Sequence, residues 1–394
     1  MTSPIPPDAG DFYGFTATLP AERRSQLSDL RAVLEEQVAP SAAENWAQEE
    51  FPHSAFASLA DLRLAGAQFS GYGCAGAGEL FSGLVHVEMA RIDPSLAVAW
   101  GAHSGLAMGS VMLCGSEEQR EAWLPRMAAG STIGAFALTE PLAGSDVARS
   151  MTTTARRDGD SWLLRGQKKW IGNGTWCDVV VVWARDEADG QIKGFLVETD
   201  TVGFSAEKML GKLSLRAVQN ALITLDGCRV PESSRLQGAT GFRDTAAVLR
   251  ATRLMVCWQA AGCARGAFEH ALAYAMEREQ FGRPIAANQL VQDLLSQMLG
   301  NVTSALSMCA RLAQLTEDGL AREEHASLAK MHVTTAMRDT VAMAREVLGG
   351  NGVLLNHHVG RFFADAEGIY SFEGTREINS LIVGRALTGI SAFV

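Results

Sequence analysis

The sequence predicts an α+β fold in which an N-terminal helical domain, a middle antiparallel β-domain and a C-terminal four-helix bundle follow one another. Three observations predict it. Apolar residues recur at three- and four-residue steps over the first third of the chain. Short β-rich runs separated by Gly, Asp and Asn turns then fill the middle with no helix between them. Beyond Gly241 the helical period returns and holds almost to the end. The expected boundaries are 1–133, 134–240 and 241–394.

The first dozen residues, rich in Pro and Gly, read as irregular. From Pro20 onward Leu27, Leu30, Leu34 and Val38 repeat on one helical face, and Pro40 closes the run. Further helices are expected over Ser54–Leu64, Gly78–Ile92, Leu96–Met112 and Glu117–Ala129, divided by turns such as Gly71-Tyr72-Gly73. Strands are expected at Ser161–Leu164, Val179–Trp183, Gly194–Glu198 and Ala221–Leu225, punctuated by Asp158-Gly159 and Asp189-Gly190. Long helices follow over Thr245–Glu279, Asn288–Glu317, His325–Leu348 and Ile378–Thr388.

Composition excludes several function classes. The chain has 394 residues, 47% of them apolar, and a formal charge of −10, which argues against nucleic acid or an anionic membrane as a general partner. Seven cysteines are scattered with no Cys-x-x-Cys pair, so neither a zinc site nor a dithiol redox motif is expected, and free thiols in a reducing compartment are. No metal site is expected. No signal peptide, peroxisomal address or membrane span is read from the sequence, and the expected location is cytoplasmic.

Five segments are candidates for chemistry. In Ser371-Phe372-Glu373-Gly374-Thr375-Arg376-Glu377-Ile378 a carboxylate stands on a Gly-flanked turn before a helix. Desolvation there would raise its pKa and suit it to proton abstraction; the plain alternative is an acid favoured by a helix start. Phe136-Ala137-Leu138-Thr139-Glu140-Pro141-Leu142-Ala143-Gly144-Ser145-Asp146 offers hydroxyls and backbone N–H groups to a phosphate, or a simple loop. Lys168-Lys169-Trp170-Ile171-Gly172-Asn173-Gly174 puts an indole beside a turn, as the wall of a flat cofactor or as core. Arg278-Glu279-Gln280-Phe281-Gly282-Arg283-Pro284-Ile285 ends a helix with an arginine suited to phosphate, or merely solvated. Leu348-Gly349-Gly350-Asn351-Gly352 allows close backbone approach, or a helix cap. No strand precedes that glycine cluster, so it is not the dinucleotide fingerprint.

In this order and spacing the five segments resemble the acyl-CoA dehydrogenases, flavoproteins that oxidise acyl-CoA thioesters. The resemblance covers the chain from about residue 20 to its end. Lys212-Leu213-Ser214-Leu215-Arg216 and Gly384-Arg385-Ala386-Leu387-Thr388-Gly389-Ile390 resemble the glutaryl-CoA dehydrogenase branch. Trp170-Ile171-Gly172-Asn173 and Val256-Cys257-Trp258-Gln259 are closer to the plant short-chain acyl-CoA oxidase of that branch. The resemblance implies FAD as cofactor, an acyl-CoA substrate, an electron-transfer flavoprotein as partner, and a homotetramer built as a dimer of dimers. It implies Glu373 as the base that takes the α-proton. Phe136, Leu138, Thr139, Gly144, Ser145, Trp170, Ile171 and Gly172 would contact the flavin and its pyrophosphate. Arg278, Gln280, Phe281, Gln289, Glu346 and Gly350 would reach the FAD of a neighbouring subunit, and Thr375 and Glu377 would border its adenosine. Ser145, Arg253, Ala97, Trp100 and Gly374 would meet the substrate, with Leu96, Met108 and Trp258 as further wall candidates.

Three departures bear on the reaction. Ala97 stands where glutaryl-CoA dehydrogenases carry an arginine for the distal carboxylate, so glutaryl-CoA is not the expected substrate. Gly172 replaces a threonine that bonds the flavin near N5, which opens the alternative of an oxidase using oxygen. Phe372 replaces a frequent tyrosine. Short or branched acyl chains are expected.

Overall fold

A computed structural model describes residues 9–393. Helices come first, a seven-stranded sheet stands in the middle, and a set of long helices closes the chain. The N-terminal periodicity is borne out: Leu27, Leu30, Leu34 and Val38 are all buried along Ala21–Val33 and the wider π-helical turn that continues it. Gly78–Ile92 is helical as expected, and the helix beginning at His53 ends at Asp61.

The stretch expected as one helix over Leu96–Met112 is instead three segments. Asp93 caps its start by accepting from Ser95 N–H at 2.9 Å, and Pro94 holds the first helical position. The middle, Ala102–Ala107, widens into a π-helix before Met108–Cys114 resumes the α-helical turn. The widening has a use. His103 within it accepts from Gly134 N–H at its Nδ1, 3.0 Å away, so its Nε2 carries the proton donated to Met127 O at 3.1 Å. Burial lowers the His103 pKa to about 4, which keeps the ring neutral in this relay. The first strand of the sheet is thereby fixed to the helical layer. Pro94–Cys114 is also the one stretch among the described residues long and apolar enough to cross a membrane, and most of it is buried inside the protein.

The sheet is mixed, which corrects the antiparallel expectation. Gly134–Ala137 pairs in parallel with Val179–Val182, and Thr154–Ala155 pairs in parallel with Arg185–Asp186. The remaining pairings are antiparallel: Ser161–Ile171 with Thr154–Asp158 and with Ala221–Pro231, Ile192–Glu198 with Val179–Arg185, and Phe204–Lys208 with Ala221–Leu225. Val179–Trp183 is apolar at every position because both faces are covered. Val179, Val181 and Trp183 join the helical core, while Val180 and Val182 join a separate core inside the β-layer.

The last part is organised by a 36-residue helix, Phe242–Glu277, packed against Gly78–Ile92, Gln289–Glu317 and Glu323–Val347. Two shorter helices, Val359–Ser371 and Arg376–Thr388, complete it, and the turn between them carries Glu373.

Candidate active site

Glu373 owes its position to a strained turn and a set of side chains that clamp it. The Val359–Ser371 helix ends, Glu373 and Gly374 both take positive φ (55° and 89°), and Thr375 caps the next helix by accepting from Ile378 N–H at 3.3 Å. A left-handed glutamate costs about 1 kcal/mol or more and persists only where its surroundings enforce it. Lys330 Nζ donates to Gly374 O at 2.6 Å and to Tyr370 O at 3.1 Å, and Asn379 Nδ2 donates to Gly374 O at 2.9 Å and Thr375 O at 3.0 Å. Both residues are fully buried. The Glu373 N–H has no hydrogen-bond partner among the described residues.

The carboxylate itself meets Thr252, whose Oγ1 donates to Glu373 Oε1. That hydroxyl has a single proton and an alternative acceptor, Val248 O at 3.1 Å. With Glu373 ionised the proton points to the carboxylate. With Glu373 protonated it turns back to the helix carbonyl, and the carboxyl O–H donates to Thr252. The pair therefore accommodates both protonation states without moving a backbone atom. Burial pushes the Glu373 pKa above the usual carboxylate range, while the Thr252 bond and the charges of Arg253 and Lys330 pull it back. Burial also lowers Lys330 to about 8. Arg253 is buried beside this turn, donates from Nη1 to Ser327 Oγ at 2.9 Å, and leaves its Nε without a partner.

Thr252 also lines a small cavity of about 40 Å³ between Phe242–Glu277 and Gly78–Ile92, walled by Met255, Trp258, Gly83, His86, Glu79 and Gly105 among others. Trp258, one of the wall candidates, lines this cavity. Ala97 and Trp100 are not among its walls. Both are buried in the helical core, where Ala97 O accepts from Gln259 Nε2 at 2.9 Å and the Trp100 ring packs on Phe56 and His103. Leu96 and Met108 are likewise core residues. A much larger groove, about 870 Å³, lies between Phe12–Tyr13 and the helices Gln289–Glu317 and Glu323–Val347. It contains none of the candidate residues, so volume alone is a poor guide to the chemistry here.

The Thr139 and Trp170 segments meet at one end of the sheet. Lys169 N–H donates to Thr139 O at 2.8 Å. Beneath them Lys168 and Glu140 form a buried ion pair at 3.0 Å, in which Lys168 also donates to Leu138 O at 3.0 Å and Glu140 accepts from Thr152 and Thr153. Burial would raise the Glu140 pKa, but Lys168 and the threonine bonds outweigh it and hold the carboxyl at about 2. A bulge between Lys168 and Ile171 throws Trp170 outward, with φ of 68° and 54% of its surface exposed. Ile171 is buried in the β-layer, Phe136 and Thr139 are half-buried, and Gly144 and Ser145 sit exposed on the following turn. A β-carbon on Gly172 would rest 3.6 Å from Ala102 Cβ and 3.9 Å from Val218 Cγ1, so the backbone does not require glycine there.

The other candidates collect at one end of the bundle, away from Glu373. Arg278, Gln280 and Phe281 belong to an exposed hairpin after the long helix, Gln289 opens the next one, and Glu346 and Gly350 lie exposed at the end of Glu323–Val347. Asn351 Nδ2 donates to Tyr274 Oη at 2.8 Å and ties the glycine turn to the long helix. Phe281 is 98% exposed, and Arg278 makes no ion pair among the described residues. Glu377 is exposed on the first turn after Thr375. The outward indole of Trp170 and the hydroxyls of Thr139 and Ser145 form a donor set that fits a flat ring and a pyrophosphate.

Comparisons with known proteins agree with this layout. Family models described as the N-terminal, middle and C-terminal domains of acyl-CoA dehydrogenase match residues 20–131, 135–228 and 239–388. An acyl-CoA dehydrogenase of Bacillus subtilis is 34% identical over 365 residues, 91% of this chain and 96% of that protein. A glutaryl-CoA dehydrogenase from Mycobacterium smegmatis superposes with a TM-score of 0.93 at 39% identity, over 98% of this chain and 99% of that one. A glutaryl-CoA dehydrogenase of that organism in complex with FADH2 gives a TM-score of 0.93 at 34% identity, with the same coverage. Butyryl-CoA dehydrogenase from Megasphaera elsdenii gives 0.90 at 28% identity, over 94% of this chain and 99% of that one.

Proposed function

The chain belongs to the acyl-CoA dehydrogenase family, oxidoreductases acting on CH–CH bonds, and from that premise we propose that it converts a short or branched acyl-CoA to the trans-2-enoyl-CoA with FAD as cofactor. The observation that carries this reading is Glu373: a carboxylate with raised pKa, clamped on a strained turn and bonded to Thr252, which lines a small cavity.

The residues divide the work as follows. A thioester α-proton is too weakly acidic for a free carboxylate, so the carbonyl must be met by hydrogen-bond donors as negative charge builds on it. The unpartnered N–H of Glu373 is one such donor. Glu373 takes the α-proton, and Thr252 follows its change of state by reversing their hydrogen bond. Arg253 and Lys330 pull the Glu373 pKa down against the effect of burial, and exclusion of water by the substrate strengthens the base. Bound FAD, held by Thr139, Ser145 and Trp170 and by Arg278, Phe281 and Gln289 of a neighbouring subunit, would accept the β-hydride. The exposed Phe281 and Arg278 are suited to such a cross-subunit contact, which supports a homotetramer. A distal carboxylate is disfavoured, because among the described residues no Lys or Arg lines the cavity and Glu79 does. Cytoplasmic fatty-acid β-oxidation, with an electron-transfer flavoprotein as acceptor, is the setting we propose.

Gly172 favours a second reading, in which oxygen takes the electrons, since the missing side chain leaves space where Ala102 and Val218 would otherwise be touched. Turnover of butyryl-CoA in air is expected to yield little peroxide and to depend on an added flavoprotein or dye acceptor. Peroxide equal to the substrate consumed would establish the oxidase instead.

A further inference from the structure

The acyl cavity is more polar than a plain hydrocarbon chain requires. Trp258 lies six residues beyond Thr252 on the same helix, about 9 Å along it. Its ring rests on Gly83, where a β-carbon would stand 2.1 Å from Cε2 and 2.2 Å from Nε1, so only glycine admits the indole at this wall. Trp258 is 1% exposed and its Nε1–H has no partner among the described residues. Acceptors share the wall with it. Ser82 Oγ donates to Gln68 Oε1 at 3.1 Å, and Glu79 and His86 line the same space. A buried donor left unpaired costs free energy that a matching ligand atom recovers.

Resting on the acyl-CoA reading above, we infer that this cavity is a subsite for an acyl chain ending in a hydroxyl, which accepts from Trp258 Nε1–H and donates to the acceptors of the Gln68–Glu79–Ser82 wall. A hydroxyl meets both needs at once. An alkyl end meets neither, an ammonium cannot accept from the indole, and a carboxylate would face Glu79, whose N–H is itself held by the Glu317 carboxylate. The size agrees: about 40 Å³ has room for roughly three water-sized groups, hence a short chain.

The test compares anaerobic flavin reduction of the FAD-loaded protein by pentanoyl-CoA, 4-hydroxybutyryl-CoA (its terminal methyl replaced by hydroxyl) and glutaryl-CoA. The hydroxy substrate is expected to have the highest kcat/KM, by roughly tenfold or more over pentanoyl-CoA, since a site that hydrogen-bonds a hydroxyl discriminates against its absence. Trp258→Phe, which keeps an aromatic ring but removes the N–H with the pyrrole part of the indole, is expected to bring the two towards equality; Ser82→Ala, which leaves the indole intact, gives a second reading of the same ratio. Equal reduction by the hydroxy and alkyl substrates in the wild type, or a preference for glutaryl-CoA, would overturn the inference and leave acyl-CoA dehydrogenation standing. Reduction by none of the three would count against the acyl-CoA reading itself.

Discussion

Replacing Glu373 with glutamine is expected to slow substrate-driven flavin reduction by about 10³-fold or more, in the upper range for loss of a general base, while FAD and acyl-CoA still bind. The amide is nearly isosteric, so the turn keeps its clamps on Gly374 O from Lys330 and Asn379, and an amide oxygen can still accept from Thr252. What disappears is the ability to hold a proton. The pH profile follows the same logic. Burial raises the Glu373 pKa and the base acts only when deprotonated, so the rate of flavin reduction should fall as pH drops through that raised value. In Glu373→Gln this limb should vanish. Stopped-flow absorbance checks both, and a variant that bleaches normally would remove Glu373 from the role.

Lys168→Met is expected to destabilise the fold by about 3–5 kcal/mol, the range for stripping one partner from a buried ion pair. Lys168 is fully buried and Glu140 nearly so, and Glu140 would keep its charge with only the Thr152 and Thr153 bonds to hold it. The strand end at Leu138 would also lose its donor. Because the chain has more than one layer, the urea midpoint of the β-layer is a better readout than one global value. Lys168→Met combined with Glu140→Gln should regain much of the loss, since the orphaned charge is then gone. An unchanged midpoint in Lys168→Met would mean that the pair does not fix the Leu138–Thr139 edge.

Much of the fold could be read from periodicity, and the exceptions have physical reasons. Val179–Trp183 announced itself because an unbroken apolar run of that length is a doubly covered strand. Thr154–Asp158 and Phe204–Lys208 went unread because they are short, charged and half exposed. The helix Val359–Ser371 was missed since Gly360 and Gly368 interrupt it; Gly368 is needed there, because a β-carbon would meet Ser214 Oγ at 2.5 Å. The π-turn at Ala102–Ala107 leaves no trace in composition, and its purpose shows only where His103 reaches Gly134.

The site was legible as a set of segments but not as a machine. Glu373 became a candidate through the order of the five segments, since its Gly-flanked turn alone fits an ordinary helix-start acid, whereas Thr252, Lys330 and Asn379 belong to none of those segments. Each is a lone polar residue on a helix, and nothing local separates a clamp from a solvated side chain. Only the buried lysine in the apolar face of Glu323–Val347, where Ala326, Ala329 and Val333 surround Lys330 in sequence, was a signal that could have been used. Trp100 shows the converse: sequence alone does not separate a core tryptophan from a wall, and here the ring packs on Phe56 and His103.

The central claim, acyl-CoA dehydrogenation with Glu373 as the base, is tested most directly by mixing the FAD-loaded protein with butyryl-CoA in the absence of oxygen and following the visible flavin absorbance. Bleaching of the flavin, with one trans-2-enoyl-CoA formed for each flavin reduced, is the predicted result. A flavin that stays oxidised with butyryl-CoA and with a panel of other short and branched acyl-CoAs would contradict it.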